Sequence, residues 1–532
     1  MKNLSRSTGC QPVQDSRQFT GWQPVLRLCL LLLTCWFGNA AQAATPPNIV
    51  LLFTDDQARE QFNFVAEGRD ASGKRRNLSP NLDRLAREGV VLDQFYVPCT
   101  LCVPSRYVLM TGTYASRCRE PSFVAQLQRE GQTRIIQNAR ITSGVTTVAK
   151  LLQQQGYFTA ISGKNGVFMA KGGVHFSNKR GDPRDPDVAS KLHAFVNQHR
   201  DALHEAGFDF AETIYPGNLK NCLPLSIQCH NLDWNTFGAL QAIDLAAEQK
   251  KPLFLYLPTT LNHAPGGVRK HEADRLATAD GYLDELPAVM PPRDTIAQRL
   301  RDAGIDPASE AANVLWLDDS VGAILDKLSE RGQLDNTIFF YFTDNGMNGG
   351  KGSLYQNGVN VPALVWGKPV EGGRRLDQLI SSVDVVPTLL ELAGLPEDER
   401  PHLDGYSFAA LLAGRSESAI RESVYLEMGC MRGVVKGDYK YLAFRAPEIL
   451  RKRFGDKPIP QLGEPNAAAR QVPVRYAEHY HDADQLYNIR DDRQERINRI
   501  EDPQYASIVE DLKAELSQYV TRLPGSFEDF TP

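Results

Sequence analysis

Apolar residues along this chain gather in short continuous runs that end in polar residues. Residues 49–53 are all apolar and lead into Thr54, Asp55 and Asp56. A strand that is apolar on both faces is buried on both faces, so this run predicts a strand of a parallel sheet flanked by helices. Further strands are predicted at 90–97, 157–162, 253–257, 337–342 and 362–366.

Helical patterns alternate with these strands. Residues 79–89 begin with Ser79 and Pro80 and end at Gly89, which is typical of a capped helix. The alternation predicts an α/β fold in which helices sandwich a large, mixed but mostly parallel sheet. The other helices predicted in this part of the chain lie at 146–155, 312–332 and 383–395.

The pattern changes after about residue 415. Short apolar segments at 423–427, 433–436 and 439–444 predict a small antiparallel sheet. Residues 448–472 carry several Pro and Gly and predict a long loop. A helix is predicted at 505–522, so this part should form a smaller subdomain of sheet and helix.

The first residues of the chain differ from the rest. Scattered basic residues precede an apolar run at 28–37, and Ala41-Gln42-Ala43 follows it. This three-part pattern predicts a secretory signal peptide cleaved after Ala43, with an uncleaved anchor as the alternative. We therefore expect a secreted or periplasmic protein with a signal peptide (1–43), a catalytic α/β domain (44–415) and a C-terminal subdomain (416–532).

Charge and cysteine content narrow the possibilities. A formal net charge of −5 gives no basic surface for nucleic acid, so no nucleic-acid partner is expected. Six cysteines follow the signal peptide. Cys222 with Cys229, and Cys99 with Cys118, are candidate disulfides in an oxidising compartment, but spacing does not fix the pairing.

Polar residues recur where the predicted strands end. In open α/β sheets ligands bind at the carboxyl ends of the strands, so we expect these residues to form one site. Those that end in a carboxylate or an amide suit a hard divalent cation, Ca²⁺ or Mg²⁺. The residues are Asp55, Asp56, Lys164, His263, Asp344 and Asn345.

Residues 102–112 read Cys-Val-Pro-Ser-Arg-Tyr-Val-Leu-Met-Thr-Gly. Pro104 suits the first turn of a helix, which places Cys102 at a helix N-terminus where negative charge is favoured, and Arg106 about one turn further on. A lone Cys there would be a buried structural residue. The whole stretch, however, resembles the sulfatase signature Cys-x-Pro-Ser-Arg-x-x-x-(Leu or Met)-Thr-Gly at every fixed position.

The resemblance to sulfatases extends from about residue 47 to about residue 500. It implies an alkaline-phosphatase-like fold. It also implies that a formylglycine-generating enzyme oxidises Cys102 to formylglycine, whose hydrated aldehyde is the nucleophile. Segments similar to later family landmarks follow in the family's order, at 344–346, 351–355, 383–390, 404–407, 437–441 and 485–488.

By the same resemblance, five residues form the metal shell, in which Ca²⁺ is expected ahead of Mg²⁺. They are Asp55, Asp56, Asp344, Asn345 and the formylglycine derived from Cys102.

The remaining roles concern the sulfate ester. Arg106 and Lys164 would hold the formylglycine and the sulfate. Lys351 would stabilise charge on the ester oxygen, and His263 would donate a proton to the leaving alcohol. The expected activity is hydrolysis of sulfate esters of a sulfated carbohydrate, as in polysaccharide degradation.

Some positions depart from the family pattern. Gly166 stands where sulfatases usually have a His two residues beyond the lysine, and Asn165 is the neighbouring candidate for part of its role. Gln356 and Asn360 stand where Glu and Arg are common, which suggests a divergent substrate side. Two alternatives stay open: a formylglycine-dependent phosphodiester or phosphonate monoester hydrolase, and a non-catalytic sulfated-glycan binder.

Substrate choice is expected to lie in loops at 58–78, 167–235 and 264–300. Five residues there are candidate contacts, although each alone would be an ordinary surface residue: His175, His230, Trp234, Arg269 and His271.

Overall fold

The computed structural model describes residues 46–171, 176–455, 457, 459 and 479–530. The predicted signal peptide at 1–43, His175 and most of the predicted loop at 448–472 lie outside the described residues. Within the described ranges, no helix has both the length and the apolar character needed to cross a membrane.

The strands of the described chain are short. They are β1 (Asn48–Thr54), β2 (Val90–Leu92), β3 (Phe95–Tyr96), β4 (Phe158–Ile161), β5 (Gly163–Lys164), β6 (Ile214–Tyr215), β7 (Leu253–Pro258), β8 (Ala277–Thr278), β9 (Gly281–Tyr282), β10 (Thr337–Thr343), β11 (Ala363–Gly367), β12 (Arg374–Leu376), β13 (Ile380–Ser381), β14 (Ser423–Met428), β15 (Met431–Lys436), β16 (Tyr439–Phe444) and β17 (Asp484–Asn488).

The α-helices of the described chain range from four to twenty residues. They are α1 (Pro80–Glu88), α2 (Cys102–Thr111), α3 (Pro121–Glu130), α4 (Val148–Gln154), α5 (Pro186–Glu205), α6 (Leu219–Cys222), α7 (Leu232–Glu248), α8 (Ile296–Asp302), α9 (Ala311–Glu330), α10 (Gln356–Val359), α11 (Val385–Leu392), α12 (Ala409–Leu412), α13 (Glu448–Phe454) and α14 (Ala506–Val520).

A seven-stranded sheet forms the centre of the fold, in the order β12-β2-β11-β10-β1-β7-β4. Only β11 is antiparallel to its neighbours; the other pairs are parallel. The predicted mixed, mostly parallel sheet is therefore confirmed. Parallel strands put their carboxyl ends at one edge, and that edge is where functional groups can converge.

Both faces of this sheet are covered. Alternate residues of β1 point to opposite sides, so Ile49, Leu51 and Phe53 join one hydrophobic cluster and Val50 and Leu52 join another. The first cluster includes residues of α2, α4, α5 and α11. The second includes residues of α1, α7, α8 and α9. A continuous apolar run in β1 is the natural sequence for a strand sandwiched in this way.

A second sheet lies in the C-terminal part, as predicted. Strands β14, β15, β16 and β17 pair antiparallel in chain order. The last helix, α14, buries Leu512, Leu516 and Val520, which belong to the same cluster as the inner residues of these strands. The fold class expected from the sequence is therefore present, while the exact boundary at residues 415 and 416 stays a prediction.

Three local predictions were wrong. The strand expected at 90–97 is two strands, β2 and β3, because β3 leaves the main sheet to pair with β13. Residues 448–454 form helix α13 instead of loop, since the Pro and Gly of that region begin only after Phe454. The expected loop at 167–235 contains the twenty-residue helix α5.

Neither candidate disulfide forms in the described structure, where all six cysteines are free. The Cys222 thiol donates to the carbonyl of Asn218 at 3.3 Å, and Cys118 donates to the carbonyl of Arg140 at 3.5 Å.

Candidate active site

Two neighbouring strands deliver the acidic residues. Thr54 pairs with Thr343 at the ends of β1 and β10, so Asp55 and Asp56 lie beside Asp344 and Asn345. The backbone N–H of Asp56 donates to Asp344 Oδ1 at 3.1 Å. Asn345 Nδ2 donates to Asp56 Oδ1 at 2.9 Å. Parallel pairing thus turns two separate sequence motifs into one cluster.

Helix α2 begins at Cys102 beside this cluster. All of its residues are buried, and it ends at Gly112, whose φ of 66° is the left-handed conformation that suits glycine. Cys102 Sγ lies 3.6 Å from Asp55 Oδ1 and 3.8 Å from Lys351 Nζ. Burial, together with the charge of Asp55, raises the pKa of the Cys102 thiol to about 12.

Two cations converge on Asp55. Arg106, one turn along α2, donates through Nη2 to Asp55 Oδ2 at 2.9 Å, and Lys164 Nζ donates to the same oxygen. Arg106 also donates to the hydroxyl of Tyr256 at 3.3 Å. Burial alone would raise the pKa of Asp55, but Lys164, His263 and Arg106 hold it well below its usual range.

Lys351 and His263 lie on the side of Asp56. Lys351 Nζ donates to Asp56 Oδ2 at 2.6 Å, and this carboxylate raises the pKa of Lys351 despite its burial. His263 Nε2 lies 3.8 Å from Asp56 Oδ2, and the His263 side chain is 20% exposed. Burial lowers the pKa of His263, against the opposing charge of Asp55.

The acidic cluster fits a hard cation. Asp55, Asp56, Asp344 and Cys102 each offer a ligand atom, and these atoms lie within 4.8 Å of one another. Asp344 Oδ2 and Asn345 Oδ1 are buried without a hydrogen-bond partner among the described residues. Burial and the charge of Asp55 raise the pKa of Asp344 to about 7. Buried oxygen donors that lack partners are the arrangement a divalent ion would satisfy.

The nine residues predicted to be catalytic or to bind the metal lie in this one cluster: Asp55, Asp56, Cys102, Arg106, Lys164, His263, Asp344, Asn345 and Lys351. Sequence reasoning missed Tyr256, because a tyrosine inside the apolar run of β7 carries no polar signal.

Gly166 has a specific environment. Its φ is 69°, and a Cβ there would lie 3.1 Å from Arg106 Cδ and 3.4 Å from Lys164 Cε. That Asn165 takes over part of the histidine's role stays a prediction; its amide is engaged within its own loop and with α5. Its Oδ1 accepts from the N–H of Phe168 at 2.8 Å, and its Nδ2 lies 3.0 Å from His199 Nδ1.

Gln356 and Asn360 are buried. Gln356 donates to the Tyr96 hydroxyl at 3.0 Å, and Asn360 donates to the carbonyl of Phe95 at 3.1 Å. That the substrate side is divergent stays a prediction.

The candidate substrate contacts in the predicted loops need correction. His230, Trp234 and His271 are buried, because they belong to packed segments, whereas Arg269 is exposed.

A cleft of about 430 Å³ opens beside Cys102. Its wall comes from the start of α2, the segments around Gly166 and Pro216, and one side of α5. The lining residues are Cys102, Val103, Gln137, Arg140, Lys164, Gly166, Phe168, Met169, Ala170, Phe195, His199, Pro216, Gly217, Asn218, Asn221 and Cys222.

A family model described as Sulfatase matches residues 47–395, which span β1, α2, β10 and the whole cluster described above. The chain belongs to the sulfatase family. It is therefore a sulfuric ester hydrolase, and the match covers the signature at 102–112 and both acidic strand ends.

Relatives and solved structures agree with this family. An N-acetylgalactosamine-6-sulfatase of Canis lupus familiaris is 26% identical over 455 residues, covering 79% of this chain and 75% of its own. An ulvan-active sulfatase of Formosa agariphila is 23% identical over 503 residues, which cover 90% of this chain and 75% of the relative. The crystal structure of the PsFucS1 sulfatase from Pseudoalteromonas sp. shares the fold, with a TM-score of 0.53 at 20% identity. The match covers 92% of this chain and 93% of that structure's chain.

Proposed function

We propose that this sulfatase hydrolyses sulfate esters of a sulfated carbohydrate, with Cys102 converted to formylglycine as the nucleophile. The observation that carries the proposal is the position of Cys102 at the start of α2. Its Sγ lies 3.6 Å from an Asp55 oxygen and 3.8 Å from Lys351 Nζ. A nucleophile between an acidic cluster and a fixed cation suits attack on a sulfate group, whose charge must be stabilised.

The metal is proposed to be Ca²⁺, held by Asp55, Asp56, Asp344, Asn345 and the modified Cys102. Hard oxygen donors support this choice, as do Asp344 Oδ2 and Asn345 Oδ1, which accept no hydrogen bond from the residues that the structure describes. When bound, the ion supplies Lewis-acid polarisation of the sulfate and neutralises the buried acids.

The surrounding residues have separate tasks in this proposal. Arg106 and Lys164 hold the nucleophile and the sulfate, since both reach the Asp55 side of Cys102. Lys351, whose Nζ lies 3.8 Å from Cys102 Sγ, stabilises charge on the ester oxygen. His263, which is partly exposed, donates a proton to the leaving alcohol.

The carbohydrate substrate is proposed from relatives and from the cleft. One relative is an N-acetylgalactosamine-6-sulfatase, a sulfatase that acts on a sugar. The cleft beside Cys102 combines apolar side chains with amides and cations, a mixture that suits a sugar ring and its substituents.

Maturation is proposed to involve two processing steps. The pattern at 1–43 supports export with cleavage after Ala43, and the signature supports oxidation of Cys102 by a formylglycine-generating enzyme. The expected location is therefore outside the cell or in the periplasm. Mass spectrometry of the exported protein should give an N-terminus at Ala44; an intact Met1 would rule out the cleavage.

The decisive experiment combines modification and turnover. Mass spectrometry of the peptide containing Cys102 should show the aldehyde, and the same sample should release sulfate from sulfated oligosaccharides. A Cys102→Ala variant is the matched control and should release none. An unmodified Cys102 in natively matured protein that still releases sulfate would overturn the nucleophile assignment.

A second candidate is favoured by Gly166. Because the family histidine is absent there, the site has one fewer polar group near the nucleophile, which leaves phosphodiester or phosphonate monoester hydrolysis open. Measured kcat/KM on an aryl sulfate and on an aryl phosphodiester separates the two. A higher kcat/KM for the sulfate supports the first proposal, and a higher value for the phosphodiester supports the second.

A further inference from the structure

The wall of the cleft beside Cys102 contains cations but no acidic residue. Lys164 is one of the cations, and its charge is balanced by the ion pair with Asp55. Arg140 is the other. Its charge helps to lower the pKa of the Glu120 carboxyl, but among the described residues its guanidinium makes no ion pair within 4.0 Å, and Glu120 does not line the cleft. A cleft whose wall contains cations and no acidic side chain attracts anions.

Arg140 is held in place through the backbone around it. The N–H of Ile141 donates to the carbonyl of Val167 at 3.1 Å, and the N–H of Met169 donates to the carbonyl of Ile141 at 3.0 Å. On the other side, Gln137 Oε1 accepts from the N–H of Val103 at 3.1 Å. The segment that carries Arg140 is thus bonded both to the start of α2 and to the strand-like stretch after Gly166.

The rest of the wall is suited to a sugar. Phe168, Met169 and Phe195 supply an apolar surface, and Asn218 and Asn221 supply amides. The volume of about 430 Å³ lies within the range of small-ligand sites. Because residue 166 has no side chain, no atom from that position projects toward Arg106 and Lys164 at the inner end of the cleft.

We propose that Arg140 binds a second anionic group of the substrate, a carboxylate or a second sulfate next to the scissile one. Guanidinium pairs with either group through two parallel hydrogen bonds, which gives direction as well as attraction. The role of Arg140 rests on the proposed function, because the scissile sulfate must occupy the site at Cys102 for the neighbouring group to reach this wall.

Binding measured without turnover tests this role. In the Cys102→Ala protein, calorimetric titration would compare three oligosaccharides with one backbone: one sulfate, one sulfate plus a carboxylate, and two sulfates. We expect at least one ligand with two anionic groups to bind about tenfold to a hundredfold more tightly than the monosulfated one, as hydrogen bonds to charged groups do. Adding Arg140→Met should remove most of that preference, and Arg140→Lys should restore part of it.

Arg87→Met is the matched control, because it removes one exposed arginine of α1 that does not line the cleft. It should keep the preference. The same preference in Arg140→Met and in the control would overturn the role of Arg140, and so would equal binding of all three ligands. Whether the carboxylate or the second sulfate gives the larger change identifies the anion.

The proposed function and the binding role of Arg140 can be tested independently of each other. If the protein with formylglycine at position 102 releases no sulfate while the Arg140-dependent preference persists, the catalytic proposal is wrong and the binding role stands. If sulfate is released but Arg140→Met leaves the preference intact, the catalytic proposal stands and the binding role of Arg140 is wrong.

Discussion

The ammonium of Lys440 and the carboxylate of Glu495 form an ion pair in which neither side chain is exposed. Lys440 Nζ also donates to the carbonyl of Leu354 at 2.9 Å and to Gln356 Oε1 at 3.2 Å. These bonds tie β16, in the C-terminal sheet, to the segment that follows Lys351. The C-terminal part of the chain therefore supports a loop of the active site.

Lys440→Met should destabilise the protein strongly. The change leaves Glu495 buried without its charged partner, and breaking a buried pair from one side costs about 3–5 kcal/mol. Urea unfolding would measure the loss. Sulfate release should also fall, because the segment after Lys351 loses two hydrogen bonds.

The double variant Lys440→Met with Glu495→Gln is the control, since it leaves no unpaired charge. It should recover most of the stability lost by the single variant. If single and double variants are equally unstable, the charge pair is not the cause of the effect.

The positions of the active-site residues were easier to predict from the sequence than the contacts that hold the active-site loop in place. Asp55 and Asp344 each follow an apolar strand, and parallel pairing of strands is a general rule, so their convergence follows from local pattern. The pairing of Lys440 with Glu495 joins a strand to a turn far along the chain, and no local pattern specifies such a partner. The partners of Gln356, Tyr96 and Lys440, could not be predicted for the same reason, because they come from distant segments.

The residues that line the cleft could not be predicted from the sequence either. Helix α5 lies inside a region that was predicted to be loop, yet Phe195 and His199 of that helix line the cleft beside Cys102. Side chains on one face of a helix are assigned to a site only when the packing of the helix is known. The strand ends needed no such information.

Gly166→Ala should lower activity more than stability. Its φ of 69° lies in the left-handed region, so alanine there costs about 1–2 kcal/mol. In addition, the new Cβ would lie 3.1 Å from Arg106 Cδ and push on a residue bonded to Asp55. Small displacements of catalytic groups cost about a hundredfold in rate, which steady-state assays of sulfate release would detect.

Gly156→Ala is the matched control. Gly156 has a φ of 86° and no atom within 4 Å of an added Cβ, and it precedes β4 at the opposite edge from the site. Both variants should lose similar stability in thermal unfolding, while only Gly166→Ala should lose activity. Equal activity in the two would contradict the contact between Gly166 and Arg106.

Removal of the metal should lower thermal stability. The ligand atoms of Asp55, Asp56 and Asp344 lie within 4.8 Å of one another, and Asp344 Oδ2 has no hydrogen-bond partner among the described residues, so a bound cation would stabilise the folded cluster. A ligand that binds only the folded state adds about 2.7 kcal/mol at a hundred times its Kd. Differential scanning calorimetry with and without a chelator should therefore show a clear drop in Tm for the wild type.

Asp344→Asn should shrink that drop, because it removes one charged ligand and weakens metal binding. Asp201→Asn, an exposed position on α5, should keep the wild-type response. Adding back Ca²⁺ should restore Tm at lower concentration than Mg²⁺. Full recovery with Mg²⁺ alone would contradict the choice of Ca²⁺, and an unchanged Tm on chelation would contradict the metal site.

His230 should make stability depend on pH. It is buried between Thr260 and Pro265, with Nδ1 2.7 Å from Thr260 Oγ1 and Nε2 3.1 Å from the Pro265 carbonyl. Burial, with Lys270 and His263 nearby, lowers the pKa of His230 to about 3, although the hydrogen bond to the Pro265 carbonyl and the charge of Asp55 act in the opposite direction. The unfolded chain takes up this proton near its ordinary value, at about 6.5.

The folded state therefore stays neutral at His230 while the unfolded state gains a proton. Stability from this group is complete above about pH 6.5 and is lost progressively as the pH falls toward about 3, by about 2 kcal/mol at pH 5. Denaturant unfolding between pH 7.5 and pH 5 should show this decline. His230→Gln keeps a donor for Pro265 and an acceptor for Thr260 but cannot titrate, so its stability should fall less over the same range.

His193→Gln separates this effect from the general titration of histidines. His193 is exposed on α5, with Nε2 2.8 Å from the carbonyl of Asp280, and it lies away from His230. We expect the free energy of unfolding of His193→Gln to fall between pH 7.5 and pH 5 as much as that of the wild type. If His193→Gln flattens the curve as much as His230→Gln does, the decline does not come from burial of His230.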